Sequence, residues 1–357
     1  MNKLQQLLNE WQALQPLDEK LERSINQQFM IDFNYNSNHL EGNTLTYGQT
    51  KLLLLFGDTI GNASIQDYEE MKAHNVGLEL MKVEAKDRNR MLSEHFIRAL
   101  NQTILVRDFY KTSRDGNYRY KINVGVYKTR QNSVITPTGE IFDYASPEET
   151  PSLMGDLVEW YRNEEQRGKL KVEELAAMFH YRYIRIHPFE DGNGRIARLL
   201  VNYILFRNNY PMLVIRSDDR QNYLKVLHQC DILTGKNPFD GAHAALEQVK
   251  PLVDYISAIL ENKLTALIQL VKGEISEFIE AKDDEKSGQK KVVRKSGQKK
   301  WSEVLELISA NPKITRSELV EVLGINPSAI QRHIQKLKKE GIIMRMGGDK
   351  GGYWKIN

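Results

Sequence analysis

The residues best equipped for chemistry lie in residues 172–210, VEELAAMFHYRYIRIHPFEDGNGRIARLLVNYILFRNNY, where His187, Asp191, Gly192, Gly194, Arg195 and Arg198 fall within twelve positions. Ile196, Leu199, Leu200, Tyr203 and Ile204 recur at helical spacing, so a helix starts close to Arg195 and Gly192-Asn193-Gly194 is its entry loop. Glycines let a main chain approach a phosphate closely, and a helix N-terminus offers N–H groups and partial positive charge. Arg195 and Arg198, three apart, project from one side of the first turn as two further anion clamps. Asp191 is a hard oxygen ligand suited to Mg²⁺ between protein and phosphates. His187 precedes Pro188, which discourages helix at the histidine and leaves the imidazole at the loop's edge as a candidate base.

Each element also has a plainer explanation. Asp-Gly-Asn-Gly is a common turn, a histidine before proline often marks a helix stop, and arginines at a helix start are often surface charges. Gly192 to Ala197 formally fits the dinucleotide pattern G-x-G-x-x-[GA], but that pattern needs a preceding strand. Here Glu173 to Phe179 is strongly helix-forming and no βαβ repeat surrounds it, so a helix-loop-helix phosphate site is the better reading.

The stretch from His187 to Arg198, HPFEDGNGRIAR, matches every specified position of the motif HPFx[DE]GNGRxxR and resembles the Fic family. The resemblance extends over roughly residues 18–251. It implies a mainly α-helical Fic-type core with a small β-hairpin flap, which transfers AMP from ATP to a Tyr, Thr or Ser hydroxyl of target proteins and of the enzyme itself. By position it implies that His187 is the general base, Asp191 holds Mg²⁺, Gly192, Asn193 and Gly194 form the anion loop, and Arg195 and Arg198 hold the β and γ phosphates. The segment 127–135 looks like the flap, which pairs with an extended target strand. Asn222 and Tyr223 resemble residues flanking the adenosine. Ser37-Asn38-His39-Leu40-Glu41-Gly42 is similar to the [ST]xxxE[GN] inhibitory helix of one Fic class. Ser37 and Glu41 are four apart on one face, so Glu41 at the helix end could pair with Arg198 and deny it to the γ-phosphate. Two alternatives stay open: in some relatives such a glutamate orients a water that removes AMP, or the chain is a DNA-binding regulator with the Fic domain as a sensor.

These residues need a helical scaffold. Helical periodicity is expected over 3–14, 18–39, 66–85, 151–161, 172–186, 195–207 and 250–279, while 123–144 alternates β-branched and aromatic residues with polar ones around two turn signals, as a hairpin would. At 357 residues, with 41% apolar and 27% charged, the chain is ordinary globular protein of two or three domains, not collagen-like, wholly disordered or a disulfide scaffold. The single cysteine, Cys230, and the absence of a charged-then-apolar leader point to a reducing, cytoplasmic setting. The longest aliphatic run, 52–56, is far too short to span a membrane.

Charge divides the chain. Residues 286–357 carry 16 Lys and Arg against 6 Asp and Glu, leaving the first 285 residues at −7. The stretch 282–300 has few apolar residues and repeats KSGQKK at 286 and 295, so it reads as a basic flexible linker between a body at 1–281 and a tail at 301–357. The tail has helical patterns at 301–309, 316–323 and 328–340 and strand patterns at 342–346 and 353–356, and looks like a winged helix. Ile330, Ile334 and Leu337 form an inward stripe, with Gln331, Arg332, Gln335, Lys336 and Lys339 outward, as on a recognition helix. Such domains bind DNA or protein. Expected partners are thus ATP, proteins with an exposed hydroxyl side chain, DNA or protein at 301–357, and a second copy of the chain as a homodimer.

Overall fold

A computed structural model describes residues 2–59, 63–113, 116–135, 141–286, 304–305, 307–308, 311–323, 326–339, 342–348 and 352–356. It divides into two units, Met1–Gly273 and Glu274–Asn357. The larger is built from α1 (Lys3–Ala13), α2 (Glu19–His39), α3 (Tyr47–Phe56), α4 (Ile65–Lys86), α5 (Glu94–Leu105), hairpin β1 (Phe109–Thr112)/β2 (Arg119–Ile122), hairpin β3 (Ser133–Ile135)/β4 (Ile141–Asp143), α6 (Thr150–Arg167), α7 (Val172–Ile186), α8 (Asn193–Arg207), α9 (Arg220–Thr234), α10 (Pro238–Ala242) and the part of α11 (Leu246–Lys286) up to Gly273. The expected mainly α architecture with a small hairpin is the one observed.

Helix starts follow local chemistry. Asp18 accepts from the N–H groups of Lys20 and Leu21 to open α2, Thr46 and Gln49 form a reciprocal capping box at α3, and Ser93 caps α5. α8 is the axis of the unit, packed against α7 on one side and α4 and α5 on the other. Its residues from Ile196 to Leu205 are buried all round, which suits a central helix better than an amphipathic surface one. Gly77 on α4 makes room for α5, since a Cβ there would stand 2.8 Å from Ile104 Cγ2.

Among the described residues four helices, α3, α5, α9 and α10, and the hairpin β1/β2 lie where no element was expected. α5 carried a readable signal in Ser93 followed by Phe96, Ile97, Leu100 and Ile104; the short strands of β1/β2 did not. Among the described residues of 123–144, 133–135 and 141–143 are strand, and the turn signal at Pro137-Thr138-Gly139 lies outside the described residues. α11 continues to Lys286, past the break that composition placed at 281/282; 287–300 lie outside the described residues.

The smaller unit contains α12 (Arg316–Leu323), α13 (Pro327–Lys339) and the antiparallel hairpin β5 (Ile343–Met346)/β6 (Tyr353–Ile356). Of the expected helix at 301–309, residues 304, 305, 307 and 308 are described and are helical. Val304, Ile308, Ile314, Leu319, Ile330, Ile334, Leu337, Ile343 and Trp354 make its core. The Trp354 indole N–H donates to the Ile314 carbonyl at 3.0 Å. Gln331, Arg332, Gln335, Lys336 and Lys339 lie on α13 away from that core stripe, in the winged-helix arrangement the pattern suggested.

Candidate active site

α7 and α8 run into one another through the loop 187–192. α7 ends because His187 adopts a left-handed conformation (φ 52°, ψ 61°) before Pro188; α8 begins after Gly192, also left-handed (φ 81°). Gly192 is required twice over there: by its φ, and because a Cβ would press on Asn101 and Ile104 at 3.3 Å. Asn193 braces the loop, its side chain accepting from the Phe189 N–H at 3.0 Å and donating to the Phe189 carbonyl at 2.7 Å. Asn101 on α5 donates to the Asp191 carbonyl at 2.9 Å. No side chain caps α8, so its first-turn N–H groups remain open to an anion.

The two arginines are equally buried, each 4% exposed, yet differently engaged. Arg198 is held by three hydrogen bonds: Nε donates to Ser37 Oγ at 3.0 Å, and Nη2 to the Ser37 carbonyl at 2.8 Å and to Glu41 Oε1 at 2.7 Å. Arg195 has only long ion pairs, 3.5 Å to Asp191 and 3.6 Å to Glu70, and its Nε and Nη1 donors are buried without a hydrogen bond. Glu41 lies in the turn after α2, its side chain 37% exposed, and its carboxylate rests directly on Gly194, where any Cβ would collide with it. Burial pushes that carboxyl up, but Arg198, with Arg195 behind it, more than offsets this and holds it below its ordinary value.

His187 stacks on Tyr144 with ring centroids 4.0 Å apart, and its Nδ1 is buried without a hydrogen bond. Burial, aided by the charge of Lys128, lowers its pKa to about 4, so the imidazole is neutral and able to accept a proton at pH 7. Asp191 meets the ammonium of Lys111, from β1, at 2.6 Å. Burial acts to raise its pKa, yet Lys111 and Arg195 outweigh that and keep it ionised. An ionised carboxylate already facing a cation is a fitting ligand for Mg²⁺.

Loop, arginines, Ser37 and Glu41 therefore converge. Asn222 and Tyr223 lie side by side on α9 in different surroundings. Tyr223 is buried, its hydroxyl 2.7 Å from His180 Nε2 and beside Arg198, because α9 turns it inward as a buttress. Asn222 is exposed and bonds weakly to Asp219 at 3.5 Å. Residues that local patterns could not reveal also take part: Lys111, Lys128, Tyr144, Glu70, and His74, which sits buried near the two arginines with Nδ1 2.7 Å from Asn34 Oδ1. Each arrives from an element remote in sequence, and none belongs to a spaced motif.

Comparison with known proteins bears on this geometry. Residues 91–205 match the Fic/DOC family profile, and residues 302–344 match a winged helix-turn-helix DNA-binding profile. A Fic domain containing signaling protein from Bacteroides thetaiotaomicron is 58% identical, with a TM-score of 0.72 over 76% of this chain and 97% of that one. The chain belongs to the Fic family. Among Fic sequences, the protein adenylyltransferase fic-1 of Caenorhabditis briggsae is 28% identical over 268 residues, 74% of this chain and 46% of the relative. The chain spans about half the length of the curated Fic relatives it matches. A Fic family protein from Desulfovibrio desulfuricans, 19% identical with a TM-score of 0.51, is alike in fold across 100% of this chain and 96% of its own. Among the described residues no helix is long and apolar enough to cross a membrane.

Proposed function

We propose that the chain is a protein adenylyltransferase that moves AMP from ATP to a Tyr, Thr or Ser hydroxyl of target proteins and of itself, and that Glu41 restrains it. Family membership, with relatives named as protein adenylyltransferases, supports the reaction class. The observation that carries the restraint is the Glu41 carboxylate seated on Gly194 and bonded to Arg198 at 2.7 Å.

In this reading the N-terminus of α8, Arg195 and Arg198 bind the phosphates. His187 takes the proton of the target hydroxyl, whose oxygen attacks the α-phosphorus as the bond to pyrophosphate breaks. Asp191 would hold Mg²⁺, which when bound neutralises phosphate charge and aids departure of pyrophosphate. β3/β4 offers backbone edges to an extended target segment. Glu41 stands in the arginine's γ-phosphate position, so ATP binds misaligned and turnover is slow, because phosphoryl chemistry depends on positioning and preorganised charge. The unit at 301–357 recruits DNA or a protein partner, and its match to a DNA-binding profile favours DNA.

The decisive experiment is Glu41→Gly assayed with labelled ATP and Mg²⁺ at saturation. Automodification and target modification should rise by about 10²-fold, and ADP affinity should change little, since ADP lacks the γ-phosphate. A variant no faster than wild type would sink the restraint. Loss of AMP removal from a modified target in the same variant would instead favour a hydrolytic role for Glu41.

A further inference from the structure

An α-helix leaves its last carbonyls without intrahelical donors and carries partial negative charge at that end. α7 ends in this way at the candidate base. Ile186 is its last residue, His187 turns left-handed, and Pro188 brings no N–H. Both carbonyls flanking His187 are taken by one residue: Lys128 Nζ donates to the Ile186 carbonyl at 3.0 Å, and the Lys128 main-chain N–H donates to the Pro188 carbonyl at 2.8 Å. Lys128 is 3% exposed and makes no ion pair among the described residues; its Nζ faces the negative end of α7 instead.

The same segment continues the seam. Thr129 Oγ1 donates to Glu190 Oε1 at 3.0 Å, and Asn132 Nδ2 to the Phe189 carbonyl at 2.8 Å; the next residue, Ser133, begins β3. The chain entering the hairpin and the loop carrying His187 thus form one hydrogen-bonded body.

We propose that Lys128 is the positioning residue for His187, bracketing it through the Ile186 and Pro188 carbonyls and holding its ammonium close to the ring. The mechanistic half rests on the reading of His187 as the base; the bracket is independent of it. The groups acting on the imidazole are Lys128, which disfavours its protonation, and Glu41 and Asp191, which favour it, with Tyr144 stacked on its face. Burial lowers the Lys128 pKa to about 7, opposed in part by Glu149 at the start of α6, so the ammonium is fully charged in the range where His187 titrates. Removing Lys128 therefore takes away the one charge that opposes the carboxylates, while burial still disfavours the imidazolium.

The test compares Lys128→Met with Lys128→Arg in the Glu41→Gly background, and reads the His187 ring titration by NMR in nucleotide-free protein. Methionine matches the stem in length and volume without a charge, which buried sites commonly tolerate. It should lower kcat for AMP transfer by about tenfold or more with KM for ATP within about twofold, and raise the His187 pKa. Arginine should restore most of both. Unchanged kcat, or a His187 pKa that does not rise, would overturn the proposal. So would kcat and KM worsening together with arginine no better, since that marks general loosening. If the methionine variant does not fold, Lys128→Gln keeps a donor without the charge and must still raise the His187 pKa. Should the Glu41→Gly protein transfer no AMP at all, the proposed activity fails, while the NMR titration still decides on Lys128.

Discussion

Arg195 and Arg198 illustrate how little residue type says about state. They share a helix, a burial and a charge, yet one is bonded to both Ser37 and Glu41 and the other has two buried donors idle. Arg195→Ala is therefore expected to weaken nucleotide affinity as well as turnover, whereas Arg198→Ala in the wild-type background should cost less binding because Glu41 already occupies that guanidinium; calorimetric titration with ATP distinguishes the two. His187→Ala should lower AMP transfer by about 10²- to 10⁴-fold and leave ATP affinity within about twofold, since the phosphate-binding groups lie elsewhere. Combined with Glu41→Gly it should remain inactive, because an aligned phosphate still lacks its base. The motif residues themselves were legible from type and spacing. Lys111, Lys128 and His74 were not, because a lone lysine or histidine on a remote element carries no local mark of what it will face.

Among the elements, α8 holds the phosphate end and the core at once, so its packing sets the site. Gly77 is the closest test of that packing. Gly77→Ala pushes a methyl to 2.8 Å from the buried, β-branched Ile104, and overpacking of this kind costs about 1–3 kcal/mol. It should lower Tm by several degrees, and Ile104→Val, which removes Cδ1 and leaves the struck Cγ2 in place, should not restore it; scanning calorimetry of the single and double variants reads both. The long periodic helices α1, α2, α4, α7, α8 and α11 were legible because one apolar stripe repeats. α3 was not, because four successive leucines show no face, and β1/β2 was not, because four-residue strands offer too few alternations.

Across the whole molecule, charge and protonation act on the two units differently. In the larger unit His74, His180 and His187 are all shifted down, chiefly by burial, to about 4 for the latter two. The unfolded chain binds protons near pH 6.5 while the folded one refuses them, so their contribution is full above pH 6.5 and is lost as pH falls towards 4. Tm followed from pH 7.5 to 4.5 should fall in that window, and His180→Gln should flatten the fall; an unaltered slope would remove His180 from the account. For the smaller unit, neutralising Arg332, Lys336 and Lys339 in the full chain should weaken duplex DNA binding and reduce the slope of log affinity against log salt by up to about 3, roughly one for each phosphate left unneutralised. No binding to any duplex at low salt would leave protein recruitment as the role of α13.

The loop at 187–198, the Ser37–Glu41 motif, the helical core and the basic winged-helix tail could all be read from the chain alone, because each is written in contiguous spacing: a twelve-residue run, a four-residue helical offset, a repeating apolar face, a cluster of like charge. Folding was needed to bring Ser37 and Glu41 onto Arg198 across 157 to 161 residues, to turn Tyr223 inward to His180, and to set Lys128 around His187. Those outcomes depend on which faces of distant helices meet. That is set by the joint burial of many side chains, and no local pattern carries it.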